Sequence, residues 1–290
     1  MSKLCLGTVQ FGLKYGVNNA LGRQPDRQEC YGIIGRALQT GITCFDTASA
    51  YGDAETLLGN YSWGKYSPKI ISKLSPECPD DRHIVIEKIK ESLQRLGMNQ
   101  LYGYMLHRGA DMQKAAVMDG LVSAKELGLV EKIGVSIYEP EEAMRAVDDV
   151  RVDIIQIPYN VLDKRLDNVG FFTMAKEKNK KIFARSAFLQ GLLLMNPEDA
   201  EKRVEKSGQW IKVFQDTAKA NGYTPAEAAM LYSLHHEGID YVVFGVETIE
   251  QLMINLAIQD KIDGFTNCYE DLKNMFFDVP REVLVPSLWR

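Results

Sequence analysis

The sequence lacks the features of membrane-spanning and nucleic-acid-binding proteins. No stretch of the 290 residues approaches the roughly 18 consecutive apolar residues that a membrane-spanning helix needs. The 39 acidic and 34 basic residues give a formal net charge of −5, and neither sign forms a long run. This pattern disfavours nucleic acid and membranes as partners. The N-terminal residues lead directly into a predicted strand without the apolar core of a signal peptide, so we expect a cytoplasmic protein.

Cysteines are few and scattered along the chain. They are odd in number and show no Cys-x-x-Cys spacing, so the sequence predicts neither a disulfide framework nor a zinc site. We expect no bound metal, and we expect these thiols to be reduced and structural: Cys5, Cys30, Cys44, Cys78 and Cys268.

A Gly-x-Gly-x-x-Gly motif is also missing after the first predicted strand, so an open dinucleotide-binding sheet lacks its fingerprint. The chain instead contains eight short β-branched runs that alternate with helical patterns. This alternation predicts an α/β fold, a closed (β/α)8 TIM barrel. The predicted strands are Leu4–Thr8, Ile42–Phe45, Lys69–Lys73, a run that ends at His107, Lys132–Ser136, Asp153–Ile157, Lys181–Ser186 and Tyr241–Gly245.

The whole chain is predicted to form a single barrel domain, since such barrels commonly reach this length. We expect the barrel to occupy about residues 4–258, with a C-terminal extension over residues 259–290. The stretch from Asn196 to Asn221 has no strand after it, and we interpret it as an inserted helix after strand seven. Three helix starts have capping-box spacing: Asp26–Glu29, Thr224–Glu227 and Thr248–Gln251.

Four ionisable side chains lie at or just after the ends of three neighbouring predicted strands. Asp46 follows strand two, Tyr51 lies in the next loop, Lys73 ends strand three and His107 ends strand four. Taken singly, they could be a helix cap, a loop aromatic, a solvated lysine and a structural histidine. In a barrel, however, the C-terminal strand ends open onto one face, where active sites lie. Their shared position favours a catalytic group.

The four side chains suit the reduction of a carbonyl group. Tyr51 needs a nearby positive charge to move protons near neutral pH, because the ordinary pKa of tyrosine is about 10. Lys73 can supply that charge, Asp46 can hold the ammonium group, and His107 can hydrogen-bond a substrate oxygen. Apart from a Lys73 Schiff base, none of them is a strong carbon nucleophile. A hydride from a nicotinamide would serve as the attacking group.

These residues resemble the active site of the aldo-keto reductase superfamily. The similarity extends from Leu6-Gly7-Thr8 to Asn255, and its most specific part is the string Phe45-Asp46-Thr47-Ala48-x-x-Tyr51-Gly52. The resemblance implies that Asp46, Tyr51, Lys73 and His107 are catalytic, with Tyr51 as the general acid. It also implies an NADPH or NADH cofactor and a small-molecule carbonyl substrate, which the sequence does not identify.

The same resemblance implies a set of cofactor-binding residues along the barrel mouth. Ser136 and Gln156, with Asn160 as a weaker candidate, would lie near the nicotinamide, although such polar strand ends can also cap loops. The remaining implied positions follow strands one, seven and eight: Gly7, Thr8, Arg185, Ser186, Leu189, Gln190, Gly191, Gly245, Glu247, Thr248, Gln251 and Asn255.

Two positions depart from the pattern of the superfamily. Arg185 stands where many members carry an aromatic residue that stacks on the nicotinamide. Its guanidinium could stack in the same way, bind an anionic or sugar-like substrate, or pair with an acidic loop residue. Glu247 stands where relatives often place a basic residue for the 2′-phosphate of NADPH. The sequence therefore favours NADH at least as much as NADPH.

Two other functions remain open from the sequence. Some barrels of this superfamily are non-catalytic cofactor-binding subunits, although retention of all four catalytic residue types disfavours that role here. A lyase that uses a Lys73 Schiff base is the other alternative, and borohydride trapping would identify it. The sequence does not predict an oligomeric state.

Overall fold

The computed structural model describes residues 3–17, 19 and 21–289, and it confirms the predicted barrel. Eight parallel strands close in sequence order, with β8 pairing to β1. Each strand lies within two residues of its predicted position: β1 (Leu4–Gly7), β2 (Cys44–Asp46), β3 (Lys69–Leu74), β4 (Leu101–Leu106), β5 (Val130–Ser136), β6 (Ile154–Pro158), β7 (Lys181–Arg185) and β8 (Tyr241–Gly245).

Helices follow the strands and surround the barrel. In the described residues they are α1 (Val9–Gly12), α2 (Arg27–Gln39), α3 (Ala54–Gly59), α4 (Arg82–Leu96), α5 (Ala115–Glu126), α6 (Pro140–Asp148), α7 (Phe171–Glu177), α8 (Pro197–Arg203), α9 (Gly208–Ala220), α10 (Pro225–His235), α11 (Ile249–Ile258), α12 (Thr266–Lys273) and α13 (Arg281–Leu284). Short 3-10 helices cover Gly109–Gln113, Asp167–Val169, Leu189–Leu194, Gln259–Gly264 and Pro286–Leu288. None of the described helices is long and apolar enough to cross a membrane.

Two of the predicted capping boxes form at helix N-termini. At the start of α2, Asp26 accepts hydrogen bonds from the backbone N–H groups of Gln28 and Glu29, and the Glu29 carboxylate accepts one from the N–H of Asp26. Thr224 and Glu227 exchange the same pair of bonds at the start of α10. Such bonds satisfy N–H groups that have no partner inside the helix.

The segment after β7 differs from the single inserted helix that the sequence predicts. It contains two helices, α8 and α9, separated at Lys206, whose φ is +68°. The Glu201 carboxylate accepts hydrogen bonds at 2.8 Å from the backbone N–H groups of Lys206 and Gly208. Because that side chain satisfies N–H groups at the start of α9, the chain can break the helix there without leaving donors unpaired.

The barrel interior is filled by apolar side chains, one from almost every strand. These side chains form one cluster: Cys5, Cys44, Ile71, Met105, Ile154, Phe183 and Val243. On β5 the corresponding residue is Gly134, where a Cβ atom would lie 2.6 Å from the Cγ atom of Met105. Side chains alternate along a strand, so residues two positions further on point to the same side. The packed interior therefore forms the floor of a site at the strand ends.

Candidate active site

A cavity of about 600 Å³ opens at the C-terminal ends of the strands. The residues at its floor can be read from the alternation of side chains along each strand. Asp46, Lys73 and His107 come two positions after the interior residues Cys44, Ile71 and Met105, so their side chains point to the same side, one layer higher. All of the predicted site residues line this cavity except Leu189, Thr248 and the weaker candidate Asn160. The fold thus gathers residues from distant parts of the sequence into one site.

A buried ion pair joins the ends of β2 and β3. The Lys73 Nζ atom lies 2.7 Å from both carboxylate oxygens of Asp46 and donates to the Thr47 carbonyl at 3.0 Å. Gln156 on β6 donates from Nε2 to the same carboxylate at 2.7 Å. Lys73 is 1% exposed and Asp46 is 4% exposed. Burial alone would lower the pKa of Lys73, but Asp46 and Tyr51 raise it above its ordinary value, so the lysine carries a charge.

Tyr51 is half-buried above this pair, with the Lys73 Nζ atom 5.1 Å from the centroid of its ring. Burial raises the pKa of the phenol, and Asp46 adds to that rise. The charges of Lys73 and Arg185 act in the opposite direction without cancelling the effect of burial. Tyr51 is therefore protonated near neutral pH, which is the state that a general acid requires.

The loop that carries Tyr51 packs directly against α1. A Cβ atom on Gly12 would lie 1.7 Å from the Tyr51 carbonyl oxygen, and one on Gly52 would lie 2.4 Å from the Gly12 carbonyl oxygen. Gly52 also has a φ of +53°, which side-chain-bearing residues rarely adopt. The two glycines thereby permit the backbone contact that fixes the position of the phenol.

His107 lies beside Tyr51, with the two rings perpendicular and their centroids 5.9 Å apart. Burial, followed by the charges of Lys73, Arg185 and Arg108, lowers the pKa of His107 to about 4. The imidazole is therefore neutral near pH 7. In the described part of the chain its buried Nδ1 atom has no hydrogen-bond partner. A neutral ring can donate a hydrogen bond from one nitrogen and accept one at the other.

Ser136 and Gln156 lie side by side where β5 and β6 pair, and both are buried in the cavity wall. The Gln156 amide nitrogen is occupied by Asp46, a contact that the sequence did not predict. Asn160, the weaker candidate for this part of the site, does not line the cavity and is buried in the loop after β6. Its amide donates to the Ser186 carbonyl, and its oxygen accepts from two backbone N–H groups of its own loop, so its side chain holds the loop together.

The loop after β7 has an unusual backbone. Ser186, Leu189 and Gln190 have positive φ angles of +65°, +47° and +54°, and Gly191 follows at +94°. Non-glycine residues in this conformation cost roughly 1–3 kcal/mol each and concentrate at functional sites. The Leu189 side chain is 1% exposed, and this residue lies outside the cavity lining.

The loop after β8 carries Glu247, which is 7% exposed and lines the cavity. Gln251 holds it through two bonds of 2.8 Å, one from the Gln251 amide to the Glu247 carboxylate and one from the Glu247 N–H to the Gln251 side-chain oxygen. Of the two hydrogen bonds in the capping box predicted for Thr248–Gln251, one forms and the other does not. Thr248 accepts the Gln251 N–H bond as predicted, but the Gln251 side chain binds Glu247 rather than Thr248.

Several cavity residues were missed by the sequence analysis. Their shared property is a position just after a strand or in the C-terminal extension, where the sequence gives only a weak signal. Gln10 and Tyr15 follow β1, and Tyr138 follows β5, so a search of every strand end could have found them. Others include Phe188, Pro286 and Ser287.

The side chains and backbone of the cavity fit a nicotinamide dinucleotide. In the described residues the N–H groups of Ala187 and Phe188 have no hydrogen-bond partner, and the adjoining left-handed turn resembles the backbone geometry that binds phosphate groups. The buried Oε1 atom of Gln10 is also unpartnered there, beside Gly245. No cluster of three or more metal-ligating side chains is found among the described residues. All five cysteines are buried free thiols.

Comparisons with known proteins identify the family of the chain and relatives with the same fold. The model of the aldo/keto reductase family matches residues 3–262. An uncharacterized oxidoreductase of Mycobacterium tuberculosis is 25% identical over 285 residues, which cover 90% of this chain and 85% of that protein. The L-glyceraldehyde 3-phosphate reductase of Escherichia coli is 24% identical over 302 residues, covering 88% and 84%. An aldo-keto reductase structure from Bacillus halodurans has a TM-score of 0.77, 19% identity and coverage of 97% and 95%.

The low pKa of His107 predicts a loss of stability in acid. Below pH 6.5 the unfolded chain binds a proton at this histidine, while the folded protein does so only near pH 4. The free energy of unfolding should therefore fall between pH 6.5 and 4, by at most about 1.4 kcal/mol per pH unit from this group. His107→Gln should flatten that slope in urea unfolding series.

His236, whose pKa burial also lowers to about 4, supplies an internal comparison. It should keep its contribution to the slope in the His107→Gln variant. In an NMR titration of the wild-type protein, a His107 midpoint near 6.5 would contradict the predicted neutral state.

Proposed function

The chain belongs to the aldo/keto reductase family and is an oxidoreductase, and from this premise we propose that it reduces an aldehyde or ketone to the alcohol with NADH or NADPH. The observation that carries this proposal is the protonated Tyr51 phenol above a charged, buried Lys73 and beside a neutral His107. A bound nicotinamide would supply the hydride for the carbonyl carbon.

Tyr51 acts as the general acid in this proposal. Its phenol donates a proton to the carbonyl oxygen as negative charge develops there. The Lys73 ammonium stabilises the phenolate that remains, because it lies beneath the ring in a buried, weakly screened position. Asp46 and Gln156 keep the ammonium in place. His107 donates a hydrogen bond to the same substrate oxygen and orients it towards the phenol.

The remaining cavity residues would hold the dinucleotide along the barrel mouth. Ser136 and Gln156 offer a hydroxyl and an amide oxygen to the carboxamide of the nicotinamide. The N–H groups of Ala187 and Phe188, with the Ser186 hydroxyl, would bind the pyrophosphate. The adenosine end would lie near the β8 loop and α11, against Gly245, Glu247, Gln251 and Asn255, with Gly7 and Thr8 at the floor between the two ends.

The geometry supports this function over the two alternatives. A Schiff-base lyase needs a neutral lysine, whereas Lys73 is surrounded by three hydrogen-bond acceptors and its pKa is raised. A purely regulatory subunit would not need a protonated phenol and a neutral imidazole side by side. Borohydride trapping followed by mass mapping would detect a Lys73 adduct and favour the lyase.

We predict that Tyr51→Phe lowers the rate of carbonyl reduction by about 10²- to 10⁴-fold, the usual contribution of a general acid. Cofactor affinity should stay nearly unchanged, because the hydroxyl group moves a proton and holds little of the dinucleotide. Stopped-flow oxidation of the reduced cofactor measures the first quantity, and fluorescence titration measures the second. Tyr66→Phe removes a phenol hydroxyl outside the cavity lining and serves as the control. Reduction by Tyr51→Phe at the wild-type rate would refute the assignment.

A further prediction concerns the choice between NADH and NADPH. Glu247 lies in the cavity wall and is oriented by Gln251, so a 2′-phosphate bound there would meet a carboxylate. An acidic side chain at the ribose instead accepts hydrogen bonds from a free 2′-hydroxyl. Among the described lining residues the lysine and arginine side chains are those of Lys73 and Arg185, which follow other strands. We therefore expect NADH to be used at least as well as NADPH.

Glu247→Arg should shift relative affinity towards NADPH by about one to a few kcal/mol, with a smaller gain at high salt. Glu250→Arg makes the same charge change on an exposed residue three positions later, in the first turn of α11, and should shift the relative affinity little. The measurement is the ratio of dissociation constants for the two cofactors at low and high ionic strength. Strong wild-type selectivity for NADPH that neither substitution alters would mean that the phosphate is held elsewhere.

A further inference from the structure

Arg185 is a cavity cation whose charge is not neutralised by a carboxylate. In the part of the chain that the structure describes, its guanidinium forms no ion pair. It donates instead to the Ile137 carbonyl at 3.0 Å and to the Ser186 hydroxyl at 3.3 Å. The pairing with an acidic loop residue that the sequence left open is therefore absent from the described residues. A guanidinium in a concave site without a counter-ion favours an anionic ligand.

Tyr138 fixes the orientation of this guanidinium. The Cζ atom of Arg185 lies 4.2 Å from the centroid of the Tyr138 ring, within range of a cation–π contact. Together with the bond to Ile137, the ring holds a long and otherwise flexible side chain in one position. Less conformational entropy is then lost when a ligand binds, so the group is prepared for binding.

Among the charged side chains described at the catalytic centre, Arg185 is the one whose charge is not balanced by an opposite charge. Lys73 is paired with Asp46, His107 is neutral and Tyr51 is protonated. Arg185 lines the same cavity as Tyr51 and His107, and its charge opposes the rise in the pKa of Tyr51 and adds to the lowering of the pKa of His107. An anion bound at Arg185 would therefore lie close to the proposed reacting carbonyl group, whereas Glu247 disfavours anions in its own part of the cavity.

Tyr15 adds a neutral hydrogen-bond donor to the same cavity. Its hydroxyl oxygen accepts a bond from the Gln190 amide at 2.9 Å, and the backbone N–H of Val17 donates to the Gln190 carbonyl at 3.0 Å. These bonds tie the β1 loop to the β7 loop. The hydroxyl hydrogen of Tyr15 has no acceptor among the described residues, so it is available to a ligand in the cavity.

We propose that Arg185 and Tyr15 form a subsite that binds a carboxylate or phosphate group of the carbonyl substrate, with Tyr138 as the residue that positions Arg185. This inference rests on the proposed reductase function and names its substrate class: a small aldehyde or ketone that carries an anionic group. Arg185 and Tyr15 are specificity-determining residues, and Tyr51 remains the acid.

The test compares matched pairs of substrates. Succinic semialdehyde and its neutral methyl ester differ in one carboxylate, and glyceraldehyde 3-phosphate and glyceraldehyde differ in one phosphate. Arg185→Leu should lower the ratio of kcat/KM for the anionic over the neutral member by about 10- to 100-fold, the usual contribution of a charge-assisted hydrogen bond. The pair that shows the larger loss identifies carboxylate or phosphate as the preferred group.

Companion variants separate the roles of the three residues. Tyr15→Phe should lower the ratio less than Arg185→Leu, since it removes a neutral donor. Tyr138→Leu should lower the anionic-to-neutral ratio, whereas Tyr138→Phe should leave it unchanged, because the aromatic ring is what positions the guanidinium. Arg36→Leu removes an exposed positive charge on α2 and should leave the ratio unchanged. Equal losses in Tyr138→Phe and Tyr138→Leu would overturn the positioning role.

Two results would overturn the subsite itself. One is an equal loss for charged and neutral substrates in Arg185→Leu. The other is an unchanged anionic-to-neutral ratio of kcat/KM in Arg185→Leu together with a tenfold larger dissociation constant for NADH. That result would place Arg185 in the cofactor site. If the wild-type protein reduced no aldehyde at all, the proposed function would fail separately. Calorimetric measurement of succinate and inorganic phosphate binding would then test the subsite on its own. We expect both anions to bind more weakly to Arg185→Leu than to Arg36→Leu.

Discussion

The ion pair between Lys73 and Asp46 is the interaction on which the rest of the site depends. It joins β2 to β3 inside the barrel mouth, and the Gln156 amide extends it to β6. Removing charges from water is costly, and loss of one partner of a buried pair typically costs about 3–5 kcal/mol. The pair also sets the electrostatics above it, because the Lys73 charge opposes the rise in the pKa of Tyr51 and helps to keep His107 neutral.

The fold and the centre of the site could be predicted because both follow from short-range patterns. Side chains alternate along a strand, so the apolar residues that fill the barrel place the polar residues two positions later at its mouth. Asp46, Lys73 and His107 each obey this rule. Parallel pairing then brings those strand ends together without further information from the loops.

The parts that the sequence did not predict depend on loop shape and on contacts between distant residues. No local pattern indicates that Gln156 binds Asp46, or that the Gln251 side chain turns from Thr248 to Glu247. Tyr15 reaches the cavity because the β1 loop is bound to Gln190, far along the chain. Pro286 and Ser287 reach it from the C-terminal extension, whose path is set by tertiary packing.

The most direct test of the central claim is a double-mutant cycle on Lys73 and Asp46, measured as the pH dependence of single-turnover carbonyl reduction. Lys73→Met should raise the apparent pKa of the reducing step, because the phenol loses its stabilising charge, and Asp46→Asn should cost less because it acts through Lys73. The combined loss should be smaller than the sum of the two, as expected for residues that act as a unit. Strictly additive losses would contradict the account.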